Sequence, residues 1–350
     1  MDAQQGAFRD GTNRRMSSLR GFLLGGCLLV GTPAALAAAP APVGVDHHVH
    51  LFGPEMRRYL DDYCASPGRL SPCPDSFARP PPTESLVAQM EAAGIAHAVV
   101  MSAAYLAESP LMVPPLPRPA ELMHEANAFI VGLARSDPGR YSAYISVNPL
   151  TASALPEMER WRGDPAVSGL KLHFTNSGVD LRDPAHVAAL SRVFAEAARN
   201  GWAIAAHIRT RQPDYGSEDV AVFVRDVLPE ARGVPVQIAH AGGWGGVDEP
   251  ALAALEAFAD LLPGAGEAGR RLYLELAAVP MGADTPADSL SRLRDLIRRI
   301  GVSRFLPGSD WPFVEDLQAY YGTLYPTVPL DDGEWDAIRR NTYLQLRPGD

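Results

Sequence analysis

Lysine is almost missing from this chain. Lysine and arginine together number 31 in 350 residues, and Lys171 is the only lysine. Positive charge is short overall: 41 acidic residues leave a net charge of −10. A nucleic-acid surface needs a basic stripe, so nucleic acid is not expected as a partner. Cysteine is scarce too, at three residues, and no histidine flanks a cysteine pair at ligand spacing, which argues against a cysteine-based zinc site. Heptads, internal repeats and coiled-coil patterns are absent. What is present, 47% hydrophobic and 21% charged, is ordinary globular composition. The length suits two small domains or one large α/β barrel.

The first residues read differently from the rest. Arg14, Arg15 and Arg20 precede the apolar run Gly21–Val30, and Ala35-Leu36-Ala37 supplies an A-x-A site. A basic stretch, an apolar core and a small-residue cleavage site describe a secretory signal peptide over residues 1–37. The Arg14-Arg15 pair fits twin-arginine export, unless translation starts at Met16. An uncleaved anchor is disfavoured by Pro33 and by the glycine and alanine content. A lipoprotein site at Cys27 is disfavoured because too little apolar sequence precedes it. The expectation is an exported protein, periplasmic or secreted, with no stable membrane anchor and a mature domain over 38–350. Losing the leader removes four basic and two acidic residues, so the mature chain is more acidic still.

Cys27 leaves with the leader. Cys64 and Cys73 remain within one Pro/Gly-rich loop, and in an exported protein that spacing suggests a disulfide. Free thiols are the alternative.

The rest of the chain alternates short apolar or β-branched runs with helical stretches. The runs are Val43–His50, Ile95–Ala103, Tyr141–Val147, Val167–Phe174, Trp202–Arg209, Val234–Ala241, Arg271–Ala278 and Arg304–Trp311. Between them, Thr83–Gly94 opens on a cap-like threonine and closes on glycine. Pro184–Asn200 and Leu290–Ile300 are likewise followed by glycine. Eight such units predict a (β/α)8 barrel, an α/β TIM-barrel fold.

Polar residues recur at the ends of these strands. His48 and His50 end the first, Lys171 and His173 the fourth, His207 the fifth, His240 the sixth and Asp310 the eighth. Strand C-terminal ends carry the active site in this fold. His97 starts a strand, at the other mouth. His124 and His186 fall in helical or loop segments, and alternation turns His47 away from His48 and His50. Two imidazoles side by side in a closed interior suit a divalent metal. Lysine is almost never buried unless paired, yet Lys171 stands in Val167-Ser-Gly-Leu-Lys-Leu-His-Phe174, which reads as a buried strand.

These residues together resemble the amidohydrolase superfamily. Within it they resemble the amidohydrolase-related branch, which includes aminocarboxymuconate semialdehyde decarboxylase and several lactone hydrolases. The resemblance spans 44–346. It rests on Asp46-His-His-Val-His50, the stretch Asn127 to Pro149, and Gly169-Leu-Lys-Leu-His173. Ala206-His207, Ala239-His-Ala-Gly-Gly243, Pro307-Gly-Ser-Asp-Trp-Pro312 and Asn341-Thr-Tyr-Leu add to it.

The resemblance implies that His48, His50, His207 and Asp310 bind one divalent ion, with Zn²⁺ the expected metal. It also implies that Asp310 and His240 share the proton work at an activated water. Lys171 then remains an ammonium that binds substrate or steadies an oxyanion. In the two-metal alternative it is a carbamylated bridge, with His207 and His240 on the second ion. His173, Arg209, Trp244 and Trp311 are candidate substrate contacts, Arg209 because it shares the parity of His207. Residues 51–82 and the proline-rich 104–120 are expected to form a stiff partial lid. The expected activity is metal-dependent hydrolysis of a small lactone, ester or amide. Non-oxidative decarboxylation of an unsaturated or aromatic acid is the alternative, and a non-catalytic binding protein the second. The branch often forms dimers, so a homodimer is an open expectation.

Overall fold

The computed structural model describes residues 42–67, 73–280 and 285–345. The expected leader lies outside them. Among the described residues, no helix is long and apolar enough to cross a membrane.

Eight short strands hydrogen-bond in chain order: β1 Val45–His50, β2 His97–Met101, β3 Tyr141–Ser146, β4 Val167–His173, β5 Ala203–His207, β6 Val236–Ile238, β7 Leu272–Glu275 and β8 Phe305–Leu306. Every pairing is parallel. Parallel neighbours need crossovers, and helices supply them. The sheet then closes through the segment after β8. His47 N donates to Pro307 O at 3.0 Å, Asp310 N to His48 O at 2.8 Å and His50 N to Trp311 O at 2.7 Å. The result is the (β/α)8 barrel that the alternating pattern predicts.

The helices follow from local sequence. Pro184–Arg199 carries proline in its first turn, where no amide donor is needed, and the Asp183 side chain accepts from Ala185 N. Leu190, Val193, Phe194 and Ala197 form its buried stripe. Ala287–Ile300 buries Leu293, Leu296 and Ile297 and keeps Arg298 and Arg299 in its last turn, where cations suit the helix dipole. Thr83–Ala93 ends at Gly94 with φ +70°, a left-handed conformation that glycine adopts freely. Its first helical residue is Thr83 and the cap position is Pro82, with no side-chain cap bond. The expected threonine cap therefore sits one residue too far in.

β1 departs from simple alternation. Its register against β2 shifts between Asp46 and Val49, and such a bulge re-aims side chains. His47 does leave the His48/His50 pair, by this route: its Nδ1 meets Pro307 O at 3.1 Å and its Nε2 meets Thr342 Oγ1 at 3.0 Å.

A second cluster fills the barrel interior: Val45, Val99, Met101, Tyr144, Ala203 and Ala205, with Tyr343 and Leu344 of the C-terminal segment packed on it. Gly169 makes room for Tyr144, since a Cβ there would lie 2.5 Å from its ring. From this plug a polar chain climbs the interior. Tyr144 OH meets Tyr343 OH at 2.8 Å, Tyr343 OH donates to Gln237 Oε1 at 2.7 Å, and Gln237 Nε2 donates to Glu275 Oε2 at 2.8 Å.

Candidate metal centre

The strand ends converge on one cavity of about 400 Å³. His48, His50, Lys171, His173, His207, His240 and Asp310 all line it. His97, His124 and His186 stand elsewhere, on Gly139 and Ser142, on Glu157 and on Asp180 N respectively.

Hydrogen bonds fix the tautomers of the first pair. His48 Nδ1 lies 2.8 Å from Glu275 Oε2, and His50 Nδ1 lies 2.9 Å from Met101 O. Both partners are acceptors, so both Nδ1 atoms carry the proton and both Nε2 atoms present lone pairs. Those lone pairs face each other at 3.1 Å. Asp310 Oδ1 is 3.4 Å from one and 3.6 Å from the other. Two lone pairs and a carboxylate oxygen brought this close repel unless a cation joins them. The donor set therefore fits a divalent metal ion held by His48, His50 and Asp310. A second trio, His48, His240 and Glu275, is equally close, but hydrogen bonds already engage its carboxylate.

The surroundings tune the charges. Burial first, then the charges of Lys171 and His240, hold the His48 imidazole well below its ordinary pKa. His50, His173 and His207 are lowered in the same way, burial again leading. These rings are neutral at pH 7, as metal ligands or bases must be. Lys171 is 1% exposed and places Nζ 2.9 Å from His48 Nε2. Burial lowers its pKa to about 8, against the opposing pull of Glu275 and Asp310. Burial drives the Asp310 carboxyl up, and the Lys171 charge counters it.

Backbone strain marks two of these groups. His240 has φ +53° and Asp310 φ +67°, left-handed conformations costly for residues with a Cβ. The His240 turn is held by its own amide, which donates to Glu275 Oε1 at 2.9 Å. Its ring Nδ1 donates to Ala277 O at 2.7 Å, so neutral His240 offers Nε2 as a lone pair, 4.0 Å from Asp310 Oδ2. Burial, aided by the Lys171 charge and opposed by Glu275, lowers its pKa, so the neutral ring prevails and donates to a carbonyl only after gaining a proton.

Glu275 was invisible to the sequence reading. It is fully buried at the end of β7 and receives His48, His240 N and Gln237 Nε2. The signal available was a lone carboxylate in the apolar run Leu272-Tyr-Leu-Glu-Leu-Ala-Ala278, since a buried charge needs partners.

Other expected residues are placed differently. His207 lines the cavity, but neither group of three close donors among the described residues includes it. Its ring stacks on His173 at 4.0 Å, and its Nδ1 is buried without a hydrogen-bond partner. His173 serves two ends, lining the cavity while its Nδ1 accepts from Asn176 N. Arg209 does not line the cavity: β5 ends at His207, and the guanidinium pairs with Asp248 at 2.7 Å. Trp311 is also withdrawn, 1% exposed and packed in the outer core. Trp244 does line the cavity. So do Tyr63, Phe77 and Cys73 of the first long loop and Tyr105 and Leu111 of the second. Cys64 and Cys73 are disulfide-bonded. Pro114, Pro115 and Pro117 are exposed, away from the wall, so the stiffness expected of a proline lid is not at the cavity.

Comparison with known proteins agrees with this fold. The amidohydrolase family model matches residues 45–341. The 5-carboxyvanillate decarboxylase of Sphingomonas paucimobilis gives a TM-score of 0.59 at 14% identity, covering 85% of this chain and 97% of that one. A zinc-bound amidohydrolase of Burkholderia multivorans gives 0.55 at 17% identity, covering 85% and 95%. A candidate 2-pyrone-4,6-dicarboxylic acid hydrolase of Pseudomonas putida gives 0.51 at 20% identity, covering 85% and 94%. At such identities the likeness shows the fold. No curated protein sequence matches. The family match runs from the first strand to the end of the last helix, and the chain is a member of the amidohydrolase family.

Proposed function

We propose that this chain is an exported hydrolase, dependent on one divalent metal ion, Zn²⁺ by preference, that opens a small lactone, ester or amide. The convergence of His48 Nε2, His50 Nε2 and Asp310 Oδ1 beside the His240 lone pair carries the reading. When bound, a divalent ion at this trio would polarise an acyl oxygen and make water acidic enough to attack near neutral pH.

The chain supplies the rest. Asp310 Oδ2 faces His240 Nε2 and takes the proton of the attacking water. Asp310 passes that proton to His240 Nε2, which returns it to the leaving oxygen or nitrogen as the acyl bond breaks. The Lys171 ammonium, held beside His48, stabilises the oxyanion. Glu275 fixes His48 in the tautomer that keeps Nε2 free.

Product analysis tests the reading. Purified protein is incubated with a lactone panel and with aromatic carboxylic acids. Acid release from a lactone, lost in Asp310→Asn, is the expected result. Release of CO₂ from an acid with no lactone opening makes the protein a decarboxylase and discards the hydrolytic assignment.

A further inference from the structure

The cavity has two walls of opposite chemistry. The inner wall is the imidazole, lysine and carboxylate cluster described above. Among the described residues, the outer wall is aromatic and uncharged. Phe77 stacks on Phe313 with centroids 5.2 Å apart, and Phe52 meets Phe77 edge-on at 5.4 Å. Trp244 stands edge-on to His207 at 5.0 Å, in the run Gly242-Gly-Trp-Gly-Gly246. It is 39% exposed, while the other four tryptophans are buried. An exposed indole at a cavity is informative where a single exposed leucine would not be.

Charge is distributed just as unevenly. Among the described lining residues Lys171 is the only lysine or arginine, and its Nζ lies on the inner wall, 2.9 Å from His48 Nε2. Among the described residues, the outer wall offers only neutral hydrogen-bonding groups. Asn176 is one, its Oδ1 accepting from Tyr63 OH at 3.1 Å. Tyr105 is another, its ring 5.1 Å from His173. A substrate carboxylate on that side would lose its water without gaining a partner. It would also face the negative quadrupole of the aromatic rings. A neutral ring meets neither penalty and gains stacking contacts.

We propose that the site takes a neutral aromatic acyl compound, with its ring between the Phe77/Phe313 pair and Trp244. The acyl group points to Asp310 and His240, and no carboxylate sits on the ring. This rests on the reading of the inner wall as the reacting end, so the test separates binding from turnover.

Isothermal titration of the metal-loaded full chain compares 2-acetylnaphthalene with 6-acetyl-2-naphthoate, two ketones that cannot be hydrolysed. The neutral ketone binds at least about tenfold more tightly, a difference of roughly 1.4 kcal/mol. Phe77→Ala and Trp244→Ala each weaken it severalfold. Trp244→Ala alters an exposed side chain, so it remains informative if the Phe77 variant misfolds. Equal or tighter binding of the carboxylate overturns the proposal, as does unchanged affinity in Trp244→Ala. Hydrolysis of dihydrocoumarin is measured in parallel. Preferential neutral binding without lactone opening leaves the substrate class standing and discards the hydrolytic reading.

Discussion

Glu275 shows how one side chain organises several others. Its two oxygens receive the His48 ring, the His240 amide and the Gln237 carboxamide. Replacing it with glutamine keeps the volume but offers one acceptor oxygen in place of two. Glu275→Gln is expected to weaken metal binding about 10–100-fold, read by competition with a chromogenic chelator. Gly169 makes a steric counterpart. Alanine there would put Cβ 2.5 Å from the Tyr144 ring and 2.7 Å from Ala203 O. Gly169→Ala should cost about 1–3 kcal/mol, measured as a lower urea midpoint with an unchanged slope. The two residues also mark what could be read in advance. His48, His50, His240, Asp310 and Lys171 announce themselves as polar groups closing apolar strands. Glu275 sits among leucines with no companion motif, and only the fold brings its partners to it.

At the scale of elements, the outer helices are tied by ion pairs whose worth depends on pH. Glu196, on the helix Pro184–Arg199, accepts from Arg199 and from Arg162, which follows the helix Ala154–Arg160. Burial raises the Glu196 carboxyl, and these arginines outweigh it, so its pKa falls below the usual 4.5. A depressed folded pKa gives stability that is present above the unfolded value and lost as pH falls through the folded one. Glu196→Gln is therefore expected to lose up to about 1 kcal/mol at pH 7 and to converge with the parent chain as pH falls through the lowered pKa of Glu196. Thermal melts across that range check it. All eight strands were legible from their β-branched and apolar runs, and their ends were not. Extending strand parity to Arg209 failed because β5 stops at His207, and Trp311, expected as an apolar wall, lies beyond β8, which stops at Leu306. Beyond a strand end the pleat no longer dictates direction, and Asp248 and the outer core claim those two side chains.

For the whole molecule, the meeting of the first and last strands is the event that matters. The backbone hydrogen bonds that close the barrel, Asp310 N to His48 O and His50 N to Trp311 O, flank the residues proposed to hold the metal. A ligand that binds only the closed barrel stabilises it by mass action, about 4 kcal/mol at a thousandfold excess over its Kd. Removing metal with a chelator should lower the melting temperature of the parent chain and leave His48→Ala unmoved, by calorimetry. The overall architecture was readable because each unit repeats the same order of strand and helix. The closing register was not, because it depends on residues from opposite ends of the chain.

That closure also sets when the protein can first act. A nascent chain emerging from the ribosome shows its two histidines with the first strand and its aspartate only after the eighth. Until that last strand is made the chain owns half of the proposed metal site, and only the completed barrel can join the halves.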